Sequence, residues 1–190
     1  MAISNFPTKT YDVIYADPPW HFGSKFKVGT AGKEQQSLQE FQYPTMSDLE
    51  LKTFFENQVA KLPNENAVMI MWTTDAHLPL AIELGHLAGF TYKTVAFIWN
   101  KKTSTNKQVC FMGTWTMKGS EIALLFTKGS AHKLLKARNV RQLVEAERKK
   151  HSQKPQEVRT RIETMFPDVS RIELFARDHY EGWDVWGNEI

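Results

Sequence analysis

Short apolar runs alternate with amphipathic or polar stretches along most of the chain. Tyr11-Asp-Val-Ile-Tyr-Ala16 favours a strand and stops at Asp17-Pro18-Pro19-Trp20, where two prolines cannot continue a ladder. Residues 21–42 are polar, with Gly23, Gly29 and Gly32 and no period. They predict a long mobile loop, a length that is uncommon in compact domains and often forms a functional lid. Ser47 and Glu50 have capping-box spacing, so a helix is expected from Ser47 to about Leu62, with Leu49, Phe54, Phe55 and Val59 on its apolar face. Ala67–Trp72 is a continuous apolar run, the pattern of a strand buried on both faces. A helix over roughly 76–88, ended by Gly89, precedes a strand over 93–99. Residues 100–118 read as a mobile basic loop and 121–127 as a strand. Residues 131–150 read as a basic helix with Leu134, Leu135, Val140, Leu143 and Val144 on one side. Pro155 suits the first turn of a further helix reaching 165 or 166, and strands are expected at 171–176 and 184–186.

Strands alternating with helices across long crossovers argue for an open α/β sheet with parallel pairing, in one domain spanning 1–190. Ligands of such sheets sit at strand C-terminal ends, where Asp17 and the segment after Ala176 both fall. Composition narrows the class. The chain has 190 residues, 42% hydrophobic and 24% charged, which excludes wholesale disorder. The single cysteine, Cys110, excludes an internal disulfide and a cysteine-based zinc site, and the scattered histidines offer no metal spacing. No apolar run reaches the roughly 20 residues that cross a bilayer, and the N-terminus carries no signal pattern, so a cytoplasmic protein is expected.

The net charge of +3 is unevenly spread: residues 91–154 carry 14 Lys and Arg against 3 Asp and Glu, while both flanks are acidic. Such a basic middle suits a polyanion, although a basic helix can also merely solvate its surface.

Asp17-Pro18-Pro19-Trp20 has a chemical reading. The exocyclic amine of a base delocalises its lone pair into the ring and is a poor nucleophile. Two acceptors set against its N–H bonds draw the nitrogen toward a pyramidal form. The Asp17 carboxylate and the Pro18 carbonyl are such acceptors, and prolines fix the backbone that presents them. Trp20 offers a stacking face, worth ~1–3 kcal/mol per base in single-strand binders. The plainer alternative is that Pro18 and Pro19 only end a strand and Trp20 fills a corner.

The tetrapeptide resembles motif IV of the S-adenosylmethionine-dependent amino-methyltransferases, and its tryptophan resembles the MT-A70-like branch. Tyr43-Pro-Thr-Met46, Trp72-Thr73, Trp99-Asn-Lys101, Gly113-Thr-Trp115, Lys118-Gly119, Ser152-Gln-Lys-Pro155, Ile172-Glu-Leu-Phe-Ala-Arg177 and Gly187-Asn-Glu189 extend the resemblance in order from Tyr11 to Ile190. It implies a Rossmann-like sheet, circularly permuted with the catalytic strand first, and a cofactor site for S-adenosyl-L-methionine within 153–190. By the same resemblance Lys154 meets the cofactor carboxylate, Arg177 the ribose, and Asn188 the adenine and ribose. Glu189 stands where relatives often have glutamine, and His179 matches a histidine of the same loop. Asp17 adjoins the cofactor as well as the base. Tyr180 replaces a common asparagine, and Ala176–Gly182 stands where typical methyltransferases have a glycine-rich turn.

The implied reaction is methyl transfer to N6 of adenine, with Asp17, Pro18, Pro19 and Trp20 at the amine and no metal. Tyr15 and Trp115 are candidates for the pocket wall. Lys101, Lys102, Lys107, Trp115 and Lys118 are candidate nucleic-acid contacts. Cytosine N4 methylation more often goes with Ser-Pro-Pro-Tyr. DNA is favoured over RNA, in a bacterial or phage setting, with RNA methylation, a non-catalytic binding partner and a homodimer or partner subunit as the alternatives.

Overall fold

Strand β1 (Tyr11–Ala16) lies inside the sheet, flanked on both sides by parallel neighbours. The computed structural model describes residues 6–21, 45–113, 115–149, 153–188 and 190. After β1 come α1 (Asp48–Asn57), β2 (Pro63–Thr73), α2 (Leu78–Leu87), β3 (Thr91–Lys102) and β4 (Ser120–Lys128). They are followed by β5 (Leu143–Glu147), α3 (Gln156–Met165), β6 (Arg171–Leu174) and β7 (Asp184–Trp186). The seven strands run in the order β5-β3-β4-β2-β1-β6-β7.

Both faces of the sheet are covered, which is why the inner strands read as unbroken apolar runs. Ile14, Ala16, Met69, Met71, Leu124 and Phe126 point to one side, against Leu51 and Phe55 of α1 and Leu84 of α2. Val13, Tyr15, Val68, Ile70 and Trp72 point to the other, against Val158 and Ile162 of α3. Helix α2 lies so close to the sheet that a Cβ on Gly85 would sit 2.2 Å from the Phe126 ring. Ser47 and Glu50 form the expected capping box, and a 3-10 turn at Val59–Lys61 carries the chain on toward β2.

The structure corrects two expectations. First, the sheet is mixed. β4 runs antiparallel to both β2 and β3, because residues 103–119 connect β3 to β4 as a long hairpin-like arm and not as a crossover. The arm carries two isolated bridges, Lys102 with Gln108 and Phe111 with Lys118. Second, residues 131–150 are not a helix. A 3-10 turn at Ala131–Lys133 leads through irregular backbone to β5, which pairs parallel with β3. Ala, Glu and Arg favour helix locally, yet the open edge of β3 supplies partners, Val144 is buried, and Trp99 Nε1 donates to the Ala146 carbonyl at 2.9 Å. The strand expected at 184–186 is present as β7, which adds an edge beside β6. The loop expected at 21–42 lies outside the described residues except at His21. Among the described residues no helix is long and apolar enough to cross a membrane.

Candidate active site

β1, β2 and β6 are parallel, so their C-terminal ends share one edge of the sheet. Ala16 pairs with Met71 and with Leu174, which sets Asp17 between Trp72 on one side and Phe175 on the other. A cleft opens there and continues into solvent. Asp17, Pro18, Pro19 and Trp20 line it, together with Lys154, Arg177 and Asn188. Lys154 arrives because it precedes α3, whose N-terminus must lie at the C-terminal end of β6. Phe175 adopts a left-handed backbone (φ 62°), an uncommon conformation for a bulky side chain. Its ring packs among Phe54, Phe55 and Trp186, which holds the turn. The Ala176 N–H then donates to the Trp186 carbonyl at 3.0 Å. A Cβ on Gly187 would lie 2.1 Å from the Ala176 carbonyl oxygen, so only glycine allows this approach.

The charged groups form an alternating chain. Lys154 Nζ donates to Asp17 at 2.7 Å and lies 3.1 Å from Glu121, which also accepts from Lys101 at 2.5 Å. Lys154 is 9% exposed and Asp17 21%. Burial pushes the Asp17 carboxyl above its ordinary value; the Glu121 charge adds to this, and Lys154 and Arg177 oppose it. Burial also works against charge on Glu121, but Lys154 and Lys101 outweigh it and hold that carboxyl below its usual range. For Lys154 burial favours the neutral amine, but the two carboxylates dominate and keep it protonated.

The Pro18 carbonyl accepts the Trp20 N–H at 2.9 Å, which leaves one lone pair for a ligand. The Pro19 carbonyl accepts from Met46 N at 3.0 Å. The indole of Trp20 is stacked on His77, with ring centroids 5.1 Å apart and 19° between planes. His77 is placed in turn by Thr74 Oγ1 at 2.8 Å. A carboxylate, a buried ammonium, a guanidinium and an amide thus surround one cleft.

The family model described as MT-A70 matches residues 11–189. The chain is 40% identical to the Type II methyltransferase M.MunI of Mycoplasma sp. over 97% of its own length and 79% of that protein. The chain belongs to the MT-A70 family. It is also 29% identical to an N(6)-adenosine-methyltransferase MT-A70-like protein of Arabidopsis thaliana and 24% identical to the N(6)-adenosine-methyltransferase catalytic subunit METTL3 of Homo sapiens. It spans 95% of itself in both cases but only 24% and 28% of those longer proteins.

Within this MT-A70 domain the expected residues divide clearly. Asp17, Pro18, Pro19, Trp20, Lys154, Arg177 and Asn188 converge on the cleft. His179 does not line it and is exposed, with its N–H bonded to the Asp178 side chain. Glu189 lies outside the described residues. Tyr15 is not a pocket wall: it is buried in the core, and its hydroxyl accepts from Trp72 Nε1 at 2.5 Å. Trp115 is not one either, being almost fully exposed on the arm. Lys101, Lys102 and Lys118 are paired with Glu121, Glu145 and Asp75, and Lys107 is exposed. Among the described residues no cluster of His, Cys, Asp or Glu could hold a metal. Glu173 is taken by Arg159 of α3 through two hydrogen bonds of 2.5 and 2.8 Å.

Sequence reasoning missed Glu121, His77 and the walls Trp72, Thr73, Thr74 and Phe175. Glu121 had one signal, as one of three acidic residues in the basic span. Its place depends on the antiparallel run of β4, which brings the start of that strand to the C-terminal end of β2.

Proposed function

We propose that this protein transfers a methyl group from S-adenosyl-L-methionine to the N6 amine of adenine in DNA. The observation that carries the reading is the pairing, on one cleft, of a buried carboxylate and a rigid carbonyl with a cation that neutralises the carboxylate. Asp17 and the free lone pair of the Pro18 carbonyl accept from the two amine hydrogens and free the nitrogen lone pair. Trp20, backed by the stacked His77, offers an aromatic wall for the ring. Lys154 is the cation for the cofactor carboxylate, and Arg177 and Asn188 face its nucleoside half. The cofactor supplies a methyl group activated on a sulfonium, so the protein contributes position and electrostatics. An adenine in a duplex has to leave the stack to reach Asp17. The preference for DNA rests on the match to a Type II methyltransferase over most of that protein's length, whereas the chain spans only about a quarter of the adenosine methyltransferases. We read the early β1 and late β6 as a circularly permuted order.

Methyl transfer from labelled cofactor to matched DNA and RNA tests the reading. We expect incorporation into DNA at adenine, and a loss of at least about a hundredfold for Asp17→Ala, as for removal of one preorganised group elsewhere. Retained activity in that variant defeats the role of Asp17. Incorporation into RNA alone selects the adenosine reading, and cofactor binding without transfer selects the non-catalytic partner.

A further inference from the structure

The arm between β3 and β4 exposes the largest apolar side chains of the described surface. Met112 is 88% exposed, Trp115 94% and Met117 57%, all beyond the Phe111–Lys118 bridge. Water does not favour such a cluster, and exposed patches of this kind mark contact sites. Two further observations indicate what it meets. Residues 101–118 contain no acidic residue, and although Lys101, Lys102 and Lys118 are paired with acids elsewhere in the chain, Lys107 stands exposed on the arm. The Arg148 guanidinium lies 5.1 Å from the centroid of the Phe111 ring at the base of the tip. The arm is also tied to the cleft. Lys118 Nζ donates to Asp75 at 2.5 Å, and Asp75 directly follows Thr73 and Thr74 on the cleft wall. Its root is held by Lys101 on Glu121, the partner of Lys154.

We infer that the tip carrying Met112, Trp115 and Met117 is a wedge that enters the base stack of duplex DNA beside the target and fills the gap left when the adenine turns out toward Asp17. The inference rests on the proposed function and adds the form of the substrate. Apolar side chains such as Met lose water on entering a stack, and the exposed Lys107, with Arg148 at the base of the tip, holds flanking phosphates while they do so. The Lys118–Asp75 contact joins the root of the tip to the segment that follows Thr73 and Thr74 of the cleft wall, so opening of the stack and capture of the base occur on the same side of the molecule.

The test uses the full chain and one adenine-containing sequence in three forms: single strand, perfect duplex, and duplex with each adenine opposite an abasic site. Labelled methyl incorporation is compared for the wild type, Trp115→Ala and the double variant Met112→Ala/Met117→Ala, with size-exclusion chromatography on each. We expect the wild type to methylate the duplex. In both variants the duplex-to-single-strand ratio should fall about tenfold or more and recover on the abasic-opposed duplex. A wild type active only on single strands overturns the inference. So does an unchanged ratio, or a change of oligomeric state in the variants at an unchanged ratio, which would make the tip a protein contact. A wild type inactive on all three forms defeats the proposed function and this inference with it.

Discussion

At Asp17 the same burial that sharpens a hydrogen bond also opposes ionisation. In the role proposed for it the carboxylate has to be charged to draw on an amine, so its raised pKa predicts an acid limit of activity above the ordinary carboxylate value near ~4. Glu121 is part of the cause, since its negative charge disfavours a second one across Lys154. Glu121→Gln removes that charge and leaves Lys154 more fully to Asp17. Both changes favour the ionised Asp17, so the acid limb of the kcat/KM profile should move to lower pH. A limb that stays or moves upward shows that Glu121 does not set it. Asp17 was legible in the sequence because a strand, two prolines and a tryptophan are contiguous. Glu121 was not, because its partners Lys154 and Lys101 come from other segments.

Among the elements, β1 sets the site by holding its place between β2 and β6. Asp12 acts as a clamp at the far end of the strand. Its carboxylate accepts from Asn64 Nδ2 at 2.7 Å and from the N–H and hydroxyl of Ser170, both at 2.9 Å. Burial resists its charge, but these donors prevail and hold its pKa below the usual value. Asp12→Ala leaves the Ser170 N–H short of a partner and should cost about 1–3 kcal/mol. That corresponds to a fall in Tm of about 2–4 °C per kcal/mol at this chain length. The depressed pKa fixes the sign with pH: the stabilisation is present above the unfolded value near ~4 and is lost as pH falls through the folded one. The Tm gap between wild type and Asp12→Ala should therefore close in acid, as differential scanning calorimetry would read; a gap constant with pH contradicts the clamp. Among the misjudged elements, β5 is instructive. Leu143-Val-Glu-Ala-Glu147 is built largely of helix formers, and only the unpaired edge of β3 makes it a strand.

For the molecule as a whole, the basic span is less free than its sequence count suggests. Asp75, Glu121 and Glu145 engage Lys118, Lys101 and Lys102, and two of these acids lie within the span itself. The number of phosphates neutralised should accordingly be well below the count of basic residues. Lys107 on the exposed arm is a candidate phosphate contact, so Lys107→Gln should reduce the slope of log affinity against log salt by about 0.9 for duplex DNA. Fluorescence anisotropy at several salt concentrations reads the slope, and an unchanged value removes Lys107 from the interface.

The sequence by itself determined the positions of the inner strands and the capping box at Ser47, and it marked Asp17 and Trp20 as residues that share the cleft. Each is carried by adjacent residues or by a local periodicity that burial imposes on the chain. The tertiary structure alone decided that β4 runs antiparallel, that Glu121 joins Lys154, that His77 stacks on Trp20, and that Tyr15 belongs to the core. Those facts depend on which segments meet across the sheet. Pairing partners distant in the chain are chosen by backbone hydrogen bonding and by packing on both faces together, and no short stretch of sequence encodes that choice.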